Sequence, residues 1–117
     1  MSTGEKTLDE QWEELLDTLA LKIGKRPADL NAVLFLIGVQ ELGNGARRYT
    51  KEQKQDLMHV GICTVLAQSG YYEFEGRDAD GWPHYRSIRT VGSLSLSSQE
   101  VLLRLHVLEY FRVVLID

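Results

Sequence analysis

The longest apolar run in the chain, residues 32–39, constrains the fold more than any other feature of the sequence. It consists of Ala-Val-Leu-Phe-Leu-Ile-Gly-Val, so a helix through it is apolar on almost every side and belongs at the centre of the domain. Pro27 suits the start of this helix and Gly43 its end. We therefore predict a buried helix over residues 28–43, although the apolar pattern alone also fits a buried strand over residues 33–39. The run is far shorter than the roughly 20 residues of a membrane span.

Three further segments have apolar residues at the spacings of three and four that are typical of amphipathic helices. They cover about residues 7–25, 50–69 and 98–114. Thr50 and Gln53 have the spacing of a capping box, and Ser97 and Glu100 repeat this spacing at the start of the last segment. Since no linker or internal repeat interrupts the pattern, we predict a single domain over residues 1–117 with four helices.

Between the last two helices, residues 71–90 have the composition of a β-hairpin. Aromatic and β-branched residues flank the turn sequence Asp-Ala-Asp-Gly at residues 78–81. Pairs of opposite charge and of aromatic rings predict the register, in which Glu73 faces Arg86, Phe74 faces Tyr85, Glu75 faces His84 and Arg77 faces Trp82. The predicted fold is therefore α+β, with one antiparallel hairpin packed on the four helices.

The composition indicates a folded domain and excludes several kinds of site and partner. Hydrophobic residues make up 44% of the chain and charged residues 26%, which suits a packed core. The net charge of −4 argues against general nucleic-acid binding. The single cysteine, Cys63, permits neither an internal disulfide nor a zinc site of paired cysteines. Because the N-terminus lacks the pattern of a secretory signal, we expect a soluble, cytoplasmic protein with neither a membrane nor a nucleic acid as partner.

The segment LFLIGVQELG at residues 34–43 occurs together with DADGWPHY at residues 78–85, and KQDLMH at residues 54–59 lies between them. In this combination the chain resembles a family of small uncharacterised bacterial proteins. The resemblance covers about residues 30–111. It implies a bacterial, cytoplasmic protein, and it carries over no activity, ligand or catalytic residue.

One face of the helix predicted over residues 50–69 carries three side chains that are competent metal ligands. Asp56, His59 and Cys63 are spaced i, i+3 and i+7, which aligns a carboxylate, an imidazole and a thiol. The alternative is that Cys63 is a small buried hydrophobic residue, while Asp56 and His59 lie on the flank of the helix or form an interhelical hydrogen bond. We expect no bound cofactor, with a transition metal at these three residues as the alternative.

The hairpin contributes a second candidate site. Trp82 and Tyr85 combine apolar area with polar groups, as residues of interaction sites commonly do. Glu41, His59 and His84 are the catalytic candidates, because a pocket that joins them to the two aromatic residues would use histidine as acid or base. The alternative is that Trp82 and Tyr85 cover the helical core while His84 pairs with the opposite strand.

The last predicted helix has more apolar residues than one buried face requires, and Leu105 lies among its polar side chains. Because a contiguous exposed apolar surface signals an interface, we expect a non-catalytic protein-interaction module. It would form a homodimer, or bind another protein, through Leu105 and the two aromatic residues of the hairpin. The competing hypothesis is a small metal-dependent or histidine-dependent enzyme that uses Asp56, His59 and His84. The sequence identifies neither a substrate nor a partner.

Overall fold

A computed structural model describes residues 5–45 and 47–114, and it places them in four helices and one two-stranded antiparallel sheet. The elements are, in chain order, α1 (Leu8–Ile23), α2 (Leu30–Leu42), α3 (Lys51–Ala67), β1 (Tyr72–Arg77), β2 (Pro83–Ser87) and α4 (Leu96–Val114). The predicted α+β fold is therefore confirmed, and residues 33–39 lie in a helix rather than in a buried strand. None of the helices described is long and apolar enough to cross a bilayer.

Side-chain caps fix the starts of the helices. The predicted capping box of α3 is confirmed, since the Thr50 hydroxyl accepts from the backbone N–H of Gln53 and the Gln53 side chain accepts from the N–H of Thr50. The predicted cap of the last helix was wrong. The hydroxyl of Ser95, not that of Ser97, accepts from the first turn, at 3.1 Å from the backbone nitrogen of Ser98. As a result α4 begins two residues before the predicted start.

Two glycines bring α2 and α3 into backbone contact. A Cβ atom added to Gly38 would lie 2.0 Å from the carbonyl oxygen of Leu57, and one added to Gly61 would lie 2.2 Å from that of Leu34. These positions pair in opposite directions along the two helices, so α2 and α3 are antiparallel. No residue larger than glycine fits at either position without a shift of the backbone. This contact therefore fixes which face of α3 points away from α2.

The core is built around α2, as its apolar sequence predicts. The main cluster of buried side chains comprises Trp12, Leu15, Leu16 and Leu19 from α1, Val33, Leu34 and Ile37 from α2, Val65 and Leu66 from α3, and Val107, Tyr110 and Phe111 from α4. A smaller cluster of Leu42, Tyr49 and Leu57 lies near the end of α2, and Trp82 packs against it. This contact ties the turn of the hairpin to the helices.

The register of the hairpin is partly as predicted. Glu73 faces Arg86 and Phe74 faces Tyr85, which confirms two of the four predicted pairs. The pairs of Glu75 with His84 and of Arg77 with Trp82 were wrong, because the register shifts by one residue between Phe74 and Gly76. Gly76 faces His84 and Arg77 faces Pro83 instead. Gly76 has a φ of 119°, a conformation that residues with side chains rarely adopt.

The hairpin is fastened to the helices by polar contacts. The hydroxyl groups of Thr64 on α3 and Tyr85 on β2 lie 3.0 Å apart. The Arg77 guanidinium donates to the carbonyl oxygen of Glu41, at 2.6 Å, and to that of Gly81, at 2.8 Å. The first contact holds β2 against α3, and the bonds of Arg77 tie the end of β1 to α2 and to the turn. A cleft lies between α3 and the hairpin.

Candidate functional site

The cleft between α3 and the hairpin has a volume of about 460 Å³. From α3 it is lined by Asp56, His59, Val60 and Cys63. From the hairpin it is lined by Asp78, Trp82, Pro83, His84 and Tyr85. Side chains from two separate stretches of the chain therefore meet at one site. They include the three candidate metal ligands, two of the three catalytic candidates and both aromatic residues of the predicted interaction site.

The α3 side of the cleft follows from helical spacing. Asp56, His59, Val60 and Cys63 are spaced i, i+3, i+4 and i+7, so they share one face of the helix. The glycine contacts with α2 occupy another face of α3 and leave this one toward the hairpin. Asp56 and His59 are exposed, whereas Cys63 is only 2% exposed. The cleft thus has a polar rim and a buried thiol below it.

On the hairpin side, Asp78 and His84 form a hydrogen-bonded pair. Oδ2 of Asp78 lies 2.9 Å from Nε2 of His84, and Oδ1 accepts from the backbone N–H groups of Trp82 and Asp80 at 3.0 and 2.9 Å. The hydrogen bond from His84, followed by the one from Trp82, holds the pKa of the Asp78 carboxyl below its ordinary value. Since the ionised carboxylate can only accept, Nε2 of His84 carries the hydrogen, and Nδ1 is the ring nitrogen left for a ligand.

On the helix side, Cys63 and His59 form a second pair. Sγ of Cys63 lies 3.4 Å from Nε2 of His59, and burial raises the pKa of the thiol to about 11. The thiol is therefore protonated at neutral pH. A protonated thiol is a poor nucleophile and a poor metal ligand, because both roles require the thiolate. The edge-to-face contact between the rings of His59 and Tyr72, with centroids 6.4 Å apart, positions the imidazole.

The three candidate metal ligands share the cleft without forming a ligand set. Within residues 5–45 and 47–114, no three His, Cys, Asp or Glu side chains are grouped closely enough to hold a metal ion. Asp56, His59 and Cys63 follow one line along α3, but a first-row metal needs its ligands to converge on a point about 2.0–2.3 Å from each. The transition-metal hypothesis stays a prediction.

Glu41, the third catalytic candidate, does not line the cleft. Its carboxylate accepts a hydrogen bond of 2.7 Å from the hydroxyl of Tyr110 on α4. Burial and the nearby Glu41 carboxylate raise the pKa of Tyr110 far above its ordinary value. The contact joins the end of α2 to α4, which is a structural role.

The two aromatic residues serve the core and the cleft together. Trp82 packs on the smaller hydrophobic cluster and also lines the cleft. The hydroxyl of Tyr85 forms a hydrogen bond with that of Thr64, and its ring packs edge-on against Phe74, with ring centroids 5.6 Å apart. Leu105, the other predicted interaction residue, lies on α4 outside the cleft and is 51% exposed.

Sequence reasoning missed the role of Asp78, which it treated only as a turn residue. The pairing with His84 depends on the bulge in β1, and the signal for that bulge was Gly76 within a strand pattern. No protein-family model, curated protein or solved structure matches this chain. Function is therefore argued from the geometry and chemistry of the cleft.

Proposed function

We propose that this chain is a small-molecule-binding protein and that its ligand occupies the cleft between α3 and the hairpin. One observation carries the proposal: polar, titratable and aromatic side chains from two stretches of the chain, residues 56–63 and 78–85, line the same cleft. A volume of about 460 Å³ lies within the roughly 300–1,000 Å³ of ligand pockets. The lining combines the apolar surface of Val60, Trp82 and Tyr85 with polar side chains, the two kinds of group that ligand pockets use.

His84 is the central polar group of the proposed site. Asp78 fixes the tautomer of the imidazole, so Nδ1 accepts a hydrogen bond from a ligand and can take a proton from one. A histidine-dependent enzyme using His84 and His59 is the catalytic form of the same proposal. The protonated thiol of Cys63 favours binding and proton transfer over nucleophilic chemistry.

Two tryptophans make the proposal testable by NMR. Trp82 lines the cleft, whereas Trp12 is 3% exposed in the core, so its indole N–H signal is an internal reference. We expect members of a set of small aromatic acids, alcohols and amines to shift the Trp82 signal and leave the Trp12 signal in place. The variant Trp82→Phe assigns the two signals. If ligands from the set bind the protein and none of them moves the Trp82 signal, the cleft is not the binding site.

Matched variants test the role of the hydrogen-bonded pair. His84→Ala and Asp78→Asn should each weaken binding of any ligand found in this way. Asp80→Asn removes the same charge from a residue of the same turn that does not line the cleft, and it should leave binding unchanged. Equal affinity in all three variants would contradict a role for His84 in binding.

Self-association is a second candidate function, favoured by the apolar side chains on the outer side of α4. Leu105 is 51% exposed, and Val101, one turn earlier, is 44% exposed. Side chains four residues apart on a helix lie on one face, so these two form a continuous apolar strip. A second copy of this chain is the proposed occupant, in a two-fold dimer. Light scattering should then give twice the 13.3 kDa mass of the chain, and 13.3 kDa at every concentration would rule the dimer out.

We propose the cytoplasm of a bacterium as the location of the protein. The free and buried thiol of Cys63 suits a reducing compartment. The resemblance to small bacterial proteins points to the same origin. Fractionation of a bacterial host tests the compartment, and recovery of the protein in the periplasm would contradict it.

A further inference from the structure

We infer that the cleft between α3 and the hairpin selects a small organic cation, an amine on an apolar body, over neutral and anionic ligands. The inference rests on the proposed function, since it names the class of ligand for that site. Its basis is the charge, the aromatic lining and the hydrogen-bonding capacity of the cleft.

The charge of the lining is negative. Asp56 and Asp78 contribute two carboxylates, and none of the other lining residues is Lys or Arg. Asp56 is exposed at the rim, where its carboxylate is free to turn toward a ligand. The whole chain has a net charge of −4, so the surroundings reinforce the negative potential of the cleft. An anion entering the cleft would be repelled by both carboxylates.

The guanidinium groups of the hairpin are held by other partners. Arg77 donates to the carbonyl oxygens of Glu41 and Gly81, and Arg86 pairs with the carboxylate of Glu73 on β1. Neither arginine lines the cleft. Neither of these two arginines therefore forms an ion pair with the carboxylates of the cleft.

The remaining lining groups suit an ammonium group better than a metal ion. The face of an indole such as that of Trp82 attracts a cation, and Nδ1 of His84 accepts an N–H hydrogen bond. A metal ion needs at least three converging ligands, and the described residues contain no such group. An amine needs only one carboxylate and one further acceptor, and its apolar body is accommodated by Val60 and Trp82.

The test compares three probes that share a phenyl ring and differ in charge: benzylamine, benzyl alcohol and benzoate. Binding is followed by the Trp82 indole N–H signal with Trp12 as reference, at the same pH of about 8 for all three probes. Salt at about 0.15 M limits electrostatic effects to a range of about 8 Å, so only nearby charges contribute. We expect benzylamine to bind about ten-fold more tightly than benzoate, with benzyl alcohol between them.

Charge variants show whether the carboxylate at the rim is responsible. Asp56→Asn should weaken benzylamine binding about three-fold and leave benzyl alcohol binding unchanged. Asp80→Asn, which removes one charge outside the lining, should have no effect on either probe. Both substitutions are at exposed positions, so both variants should fold.

The possible outcomes separate the two claims. If all three probes shift Trp82 with equal affinity, the cleft is a binding site as proposed, and the inference of cation selectivity is wrong. If benzoate binds most tightly, the inference is likewise overturned and the binding site stands. If none of the three shifts Trp82 while other fragments do, the amine class is excluded. If no fragment shifts Trp82, both claims fail.

Discussion

Oδ2 of Asp78 lies 2.9 Å from Nε2 of His84, although regular strand pairing would place the Glu75 side chain opposite this imidazole. The cause is the extra residue in β1, which puts Gly76 opposite His84 in place of Glu75. Since glycine has no side chain, the carboxylate that reaches the imidazole comes from the turn. The bulge therefore produces the central polar pair of the cleft.

Replacing Gly76 by alanine should damage this arrangement without a steric clash. A Cβ atom at Gly76 would meet nothing within 4 Å, so the cost lies in its φ of 119° alone. We expect Gly76→Ala to destabilise the protein by about 1 kcal/mol and to shift the NMR signals of His84. Urea unfolding measures the first effect. Unchanged stability together with unchanged His84 signals would show that the bulge has no part in forming the pair.

The pKa of Asp78 predicts how the pair depends on pH. Its value in the folded protein lies below that of the unfolded chain, chiefly because of the hydrogen bond from His84. The carboxylate therefore stabilises the fold at pH values above its unfolded pKa, and this contribution is lost as the pH falls through the folded pKa.

Comparison of the native protein with Asp78→Asn tests this dependence. The native protein should be the more stable at neutral pH, and the difference in urea midpoint should shrink as the solution is acidified below the folded pKa of Asp78. Asp80→Asn is the control, because Asp80 contacts Asp78 through its backbone N–H and not through its side chain. A difference that grows on acidification would contradict the lowered pKa.

The elements of the fold were predictable because each has a strong local signal. The capping box at Thr50 and the apolar run of α2 depend on residues close in sequence. The pairing of Asp78 with His84 was not predictable from cross-strand patterns, because one added residue changes every pair beyond it. The convergence of His59 with His84 was predicted only as a possibility among catalytic candidates, since it depends on how α3 is turned. The sequence also placed Glu41 in this candidate pocket. Nothing in the sequence indicated that its carboxylate instead accepts a hydrogen bond from Tyr110.

The orientation of α3 depends on the two glycines where it crosses α2. We therefore predict that replacing either glycine by alanine lowers the stability, opposite to the usual effect in a helix. Alanine normally stabilises a helix interior by about 1 kcal/mol relative to glycine. At Gly38 and Gly61 we expect the opposite, a loss of about 1–3 kcal/mol for each alanine variant, because the added Cβ overlaps a backbone carbonyl of the facing helix. Urea unfolding measures the change.

Asn31→Ala is the control for this prediction, since Asn31 is exposed on α2 away from the crossing. It should change the stability by less than about 0.5 kcal/mol. If Gly38→Ala stabilises the protein as an ordinary helix position would, α2 and α3 are not in backbone contact. The face of α3 that carries Asp56 and His59 would then be oriented differently with respect to the hairpin.

The proposed dimer predicts that a charge at Leu105 separates the two copies. Leu105→Glu places a carboxylate in the apolar strip that it forms with Val101, where a dimer would bury it. We expect the mass from light scattering to fall from twice 13.3 kDa to 13.3 kDa, with helix content by circular dichroism unchanged. The substitution removes little buried area within one copy, because the side chain is 51% exposed.

Leu21→Glu is the matched control, because it makes the same change at an apolar side chain of α1 that is 89% exposed. It should leave the mass at twice 13.3 kDa. If Leu21→Glu also separates the copies, the interface includes α1 and extends beyond the strip on α4. If Leu105→Glu unfolds the protein, Leu105 contributes to the core of a single copy, and the exposed strip is not the dimer contact. A native protein whose mass stays at 13.3 kDa up to millimolar concentration would leave Leu105 as an isolated exposed side chain, as many surface leucines are.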